Sequence, residues 1–140
     1  MKLGKDDEAT THYAEAVRLR PDLYRVYYNW GNLLMRQDKP AEAAARYRKA
    51  IAGRPDYAEC HNNLGNALSR LQDAAGAERH FREAIRVRPG YADAYNNLGA
   101  LMLQLERKKD AVRYLRKALE LAPNNINARK NLEMAQRLPE

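Results

Sequence analysis

Proline returns in this sequence at Pro21, Pro55, Pro89 and Pro123, 34 residues apart each time. A fixed interval of that length means one small supersecondary unit stacked on copies of itself. Other positions keep the same interval. Alanine does so twice, at Ala9, Ala43, Ala77 and Ala111 and at Ala16, Ala50, Ala84 and Ala118. Between those two series stands a large residue, Tyr13, Tyr47, Phe81 or Leu115. Gly31, Gly65 and Gly99 follow the same count, each preceded by Trp30, Leu64 or Leu98.

Each unit reads as two helices, because apolar residues recur at spacings of three and four. The first helices are predicted over about 24–37, 58–71 and 92–105, and the second over about 41–53, 75–87 and 109–121. In the middle unit Leu64, Leu68 and Leu71 are expected to line one side. Asp56 followed by Glu59 has the spacing of a capping box. Pro40 suits a first helical turn, and the recurring prolines close the second helices. A mid-helix glycine costs about 1 kcal/mol against alanine. Three such costs at one position imply close helix approach there, with the alanines serving the same purpose from the opposite helix and the large residue filling space further along. A single pair cannot bury its apolar faces, so stacking supplies the core.

The units resemble the tetratricopeptide repeat. The middle one carries His61, Leu64, Gly65, Leu68, Ala77, Phe81, Ala84 and Pro89; the next carries Tyr95, Leu98, Gly99, Met102, Ala111, Leu115, Ala118 and Pro123; the first full one carries Tyr27, Trp30, Gly31, Leu34, Ala43, Tyr47, Ala50 and Pro55. The resemblance implies an all-α, right-handed superhelix of antiparallel helix pairs, seven or eight helices in all. The expected organisation is a partial unit over 1–23 supplying a second helix only, full units over 24–57, 58–91 and 92–125, and a C-terminal capping helix over 126–140. Leu3-Gly4 reads as the turn before the partial unit's helix. Glu133 stands where the other units have glycine, which suits a terminal helix that packs no close partner.

In such a superhelix the first helices line the concave side. Asn29, Asn63, Asn97 and Asn131 recur there, 34 apart, without a packing need. Asn is a mediocre helix former, so its recurrence asks for a reason. Asn62 and Asn96 stand one residue before the series, and Asn32 and Asn66 three residues after it. Amides donate and accept, which complements the main chain of an extended peptide. The Asn-Asn-Leu-Gly runs at 62–65 and 96–99 resemble the repeat domain of O-linked N-acetylglucosamine transferase and its bacterial relatives, and that resemblance implies an asparagine ladder holding peptide backbone. Asn29, Asn32, Asn63, Asn66, Asn97 and Asn131 are the candidate residues, with Arg25, Arg36 and Arg70 favouring an acidic segment. The plainer account is that these amides wet the groove and bond one another across repeats. Co-chaperones of the family grip a terminal carboxylate with a clamp of cations and asparagines. Here the matching positions are Tyr28, Asn32, Asn63, Asp93 and Asn97, which lack the cations, so that clamp is not expected.

The chain of 140 residues carries a net charge of +7. The excess gathers on second helices, at Arg46, Arg48, Lys49, Arg79, Arg82, Arg86, Arg88, Lys108, Lys109, Arg113, Arg116 and Lys117. A solvated outer face is the expectation; nucleic acid or an anionic surface is the sharper alternative, weakened by the scarcity of aromatics beyond Tyr114. Cys60 is the sole cysteine, so no internal disulfide can form. His12, His61 and His80 are dispersed, and no metal, phosphate-loop or nucleophile motif appears. These observations predict a soluble, cytoplasmic, non-enzymatic interaction scaffold without cofactor or membrane insertion. It would bind a protein or peptide, either as an adaptor or as the substrate-recruiting part of a larger enzyme. The half unit, with Tyr13 and Val17 partly uncovered, invites a second copy.

Overall fold

The computed structural model describes residues 2–140, and among them are eight helices and no strand. They are α1 (Lys2–Leu19), α2 (Tyr24–Arg36), α3 (Pro40–Gly53), α4 (Ala58–Arg70), α5 (Ala74–Val87), α6 (Ala92–Gln104), α7 (Lys108–Leu121) and α8 (Ile126–Gln136). Each of α1, α3, α5 and α7 stops two residues before a recurring proline, whose ring restricts the residue preceding it. Helices pair as α2–α3, α4–α5 and α6–α7, and each pair rests on the next through α3–α4, α5–α6 and α7–α8. The first helices α2, α4, α6 and α8 also touch in succession, so they form one continuous inner surface.

The seam inside each pair explains the glycines. A methyl group added at Gly31 would lie 2.5 Å from the Tyr47 ring, at Gly65 2.5 Å from the Phe81 ring, and at Gly99 2.5 Å from Leu115. Carbon atoms attract at about 3.5–4.0 Å, so no side chain fits there. The large residue therefore sits directly on the glycine and is not set further along the seam. Ala43, Ala50, Ala77, Ala84, Ala111 and Ala118 are wholly buried around it.

The turns within pairs share a geometry. Asp38, Gln72 and Glu106 adopt φ of 56°, 64° and 55°. The next amides, of Lys39, Asp73 and Arg107, each donate to a carbonyl five residues back at 2.9 Å. This closes α2, α4 and α6 as a Schellman motif does. Leu71, beyond the end of α4, is 41% exposed and does not continue the Leu64–Leu68 stripe.

Two local expectations fail. Helix α1 runs through Gly4 without a turn, and nothing lies within 4 Å of a methyl group added there. The Asp56 carboxylate does not cap α4; it accepts from the Arg54 guanidinium at 3.3 Å, the nearer charged group. Side-chain caps occur instead on α5, where Gly76 N–H donates to Asp73 at 2.9 Å, and on α8, where Ala128 N–H donates to Asn125 at 3.0 Å. In α1 Tyr13 and Val17 are half-buried; the counterparts of Tyr13 on later second helices, Tyr47, Phe81 and Leu115, lie deep in the seam, while those of Val17 are half-buried as it is. In α8 Glu133 is exposed while Ala128 and Ala135 are fully buried.

Candidate functional site

The recurring asparagines lie on the inner surface, and three of them reach back across a repeat boundary. The Asn63 side-chain N–H groups donate to Asn32 Oδ1 at 2.9 Å and to the Tyr28 hydroxyl at 3.3 Å. Asn97 donates to Asn62 Oδ1 at 3.0 Å, and Asn131 to Asn96 Oδ1 at 3.3 Å. Three of these bonds, to Tyr28, Asn62 and Asn96, span 35 residues, so one register repeats along the array. The Oδ1 atoms of Asn63, Asn97 and Asn131 accept no hydrogen bond from the described residues. Each rung is thus tied through its amide nitrogen, by both N–H groups in Asn63 and by one in Asn97 and Asn131, and keeps its oxygen open.

Asn29 is exposed and outside this network. Asn66 lies with Asn32, Met35, Arg36, Tyr47 and Asn63 around an open depression of about 340 Å³. Arg36 and Arg25 have no ion-pair partner among the described residues. Arg70 is committed, donating to Asp38 at 3.3 Å and to the Met35 carbonyl at 3.4 Å, which ties α4 to the preceding turn. Glu59 is paired with Arg88. The sequence did not single out Tyr47 as part of this surface, because its series is otherwise Phe or Leu and carries no polar signal.

The histidines are not all dispersed. His61 is 5% exposed, and its Nε2–H donates to the Pro55 carbonyl at 2.8 Å. A carbonyl can only accept, so the proton sits on Nε2 and His61 Nδ1 accepts from His80 Nδ1–H at 3.1 Å. Burial, then the facing His61 and the cations Arg79 and Arg48, hold His80 down to about 4. The pair fills the space that Tyr95 and Tyr114 fill one unit later. Cys60 is fully buried, its thiol pushed up to about 12 by burial, and it donates to the Tyr47 carbonyl. It stays a protonated packing group.

On the second helices the cations are interleaved with acids. Arg82 pairs with Glu78, Arg86 with Glu83, Arg107 with Asp110 and Glu78, and Lys117 with Glu120. None of the described helices is long and apolar enough to cross a membrane.

Three models of the tetratricopeptide repeat match the sequence, over residues 1–38, 22–89 and 62–126, which together span 1–126. Among solved structures, a crystal structure of MamA superposes with a TM-score of 0.90 at 23% identity, covering 96% of this chain and 78% of that one. At that identity the likeness is one of fold. The first repeat domain of human RPAP3, solved by NMR, is 29% identical with a TM-score of 0.81, covering 84% of this chain and 93% of that one. A structure described as the first such domain of Spaghetti (RPAP3) bound to the HSP90 peptide SRMEEVD is also 29% identical, with a TM-score of 0.79, covering 81% of this chain and 90% of that one. No curated protein sequence matches.

Proposed function

The chain belongs to the tetratricopeptide-repeat family, and from that premise we propose that it is a non-catalytic interaction scaffold that holds an extended peptide along the inner surface of α2, α4, α6 and α8. The supporting observation is the row of amides locked in a single register with their oxygens open. A group whose N–H edge is already engaged cannot swing to avoid a ligand, and its free oxygen takes a main-chain N–H. Rungs one unit apart read backbone and ignore side chains, so sequence preference is weak. The uncommitted Arg25 and Arg36 add a bias toward acidic segments. The complex of the similar RPAP3 domain with a peptide supports the same use of the fold here.

The test is to pan a randomised dodecapeptide display library on the wild-type chain and measure the enriched peptides by fluorescence anisotropy. Each hydrogen bond contributes about 0.5–1.5 kcal/mol net, so Asn63→Ala/Asn97→Ala weakens binding by about 5- to 150-fold. Enriched peptides that bind the double variant as tightly as the wild type would defeat the proposal.

A further inference from the structure

The amide surface is touched from beneath at one residue of the seam. Tyr47 belongs to the series that reads Phe81 and Leu115 in the next two pairs. Its ring lies on Gly31 and is 1% exposed, yet its hydroxyl reaches the inner surface, 2.7 Å from the side-chain oxygen of Asn32. That oxygen also accepts from Asn63 at 2.9 Å.

The orientation of the Asn32 amide follows from two facts. A separation of 2.7 Å is the length of an O–H···O bond, shorter than the about 2.9–3.0 Å of N–H···O. A buried hydroxyl also needs an acceptor for its hydrogen, and Asn32 Oδ1 is the one within reach among the described residues. Turning the amide over would leave the phenol hydrogen without a partner. Burial moves the phenol's ionisation well above its ordinary range, with Asn63 and Arg36 opposing only in part, so the hydroxyl stays a donor. With Oδ1 filled by two donors, the two N–H groups of Asn32 are left to the open depression it shares with Met35, Arg36 and Asn66.

We propose that Tyr47 is a positioning residue: it fixes the Asn32 amide with its N–H edge outward and so makes the junction of the first and second full units a donor site for a backbone carbonyl of the bound peptide. This rests on the peptide-groove proposal above and adds polarity to it. The Asn63, Asn97 and Asn131 rungs keep their oxygens open, whereas Asn32 has its oxygen filled and only hydrogens to offer. An extended main chain presents both kinds of group, so the groove matches it at one end by donating and further along by accepting.

Two variants separate position from packing. Tyr47→Phe keeps the ring that the next pair already uses at Phe81 and removes only the hydroxyl. Asn32→Asp keeps an oxygen for Tyr47 and Asn63 but replaces the outward N–H edge by a second oxygen. Against the tightest peptide from the dodecapeptide library, Tyr47→Phe weakens binding by about 3- to 10-fold and Asn32→Asp by more than about 30-fold. In the ligand-free protein, the Asn32 side-chain ¹⁵N–¹H pair shifts and exchanges faster in Tyr47→Phe. Asn32→Asp binding as tightly as wild type, or an unmoved Asn32 amide pair in Tyr47→Phe, overturns the assignment. If Asn63→Ala/Asn97→Ala weakens binding while these two variants do not, the Tyr47 assignment alone falls. If that double variant also binds normally, the groove reading falls and the carbonyl site with it.

Discussion

The seam inside each helix pair and the inner surface across pairs obey the same 34-residue interval in different ways. In the seam, Tyr47, Phe81 and Leu115 each stand 2.5 Å from where a methyl group on the facing glycine would lie, although their chemistry differs. On the inner surface the donor is always asparagine, while its partner changes from Tyr28 to Asn62 to Asn96. Packing demands volume and accepts any residue that supplies it. A directional polar row demands one functional group and accepts any partner that completes it. The seam is therefore where stability resides, and the inner surface is where it can be given up.

The largest effect that separates the two regions comes from emptying the seam. Phe81→Ala leaves Gly65 facing a void and lowers stability by about 3–5 kcal/mol, read as a fall in the urea midpoint. A drop under about 1 kcal/mol would show that the pairs are not held by this contact.

The histidine pair is a polar intrusion into a packed position, and acid sharpens the contrast. The folded-state ionisation of His80 is depressed to about 4, from an ordinary value near 6.5, so the unfolded chain binds more protons between those values. Stability is full above about pH 6.5 and declines as pH falls toward 4, by roughly 1–2 kcal/mol after allowing for solvent screening of a half-buried group. Melting temperatures across that range should fall in the wild type. They should flatten in His61→Tyr/His80→Tyr, which copies Tyr95 and Tyr114 from the following unit. An equally steep profile in the double variant would assign the acid sensitivity elsewhere.

The smallest effect is on the inner surface. Asn97→Ala removes one partly exposed hydrogen bond and trades asparagine for the best helix former, so unfolding by urea shifts by less than about 1 kcal/mol in either direction. A loss as large as that of Phe81→Ala would mean the amide row is structural first.

Most of the fold was legible because volume repeats: the interval, the helix pairs and their close approach at the glycines follow from Gly65, Phe81 and Ala84 and their counterparts, although it is the Phe81 ring itself that covers Gly65. The position of the amide row was legible because asparagine has no packing reason to recur on a helix. That the amides bond one another across repeats was the plainer of the two accounts the sequence offered, and they do; the particular partner of each was not legible. Whether Asn97 reaches Asn62 depends on the offset between neighbouring helices, which no single unit encodes. Tyr47 stayed hidden because a hydroxyl at the tip of a seam residue looks like bulk in sequence. Asp56 misled because Arg54, two residues away, competes for its carboxylate. The histidines looked scattered because residues 19 apart meet only when α4 and α5 fold together.

The three left-handed turn residues carry a consequence for how such an array holds together. Asp38, Gln72 and Glu106 are not glycine, and an L-residue in that conformation costs roughly 1–2 kcal/mol, less for aspartate. The chain reversals are therefore not written in the residues that make them. Their cost is offset by the amide-to-carbonyl bonds of Lys39, Asp73 and Arg107 and by the helices docked on either side, so each bend is held only as long as its hairpin stays together.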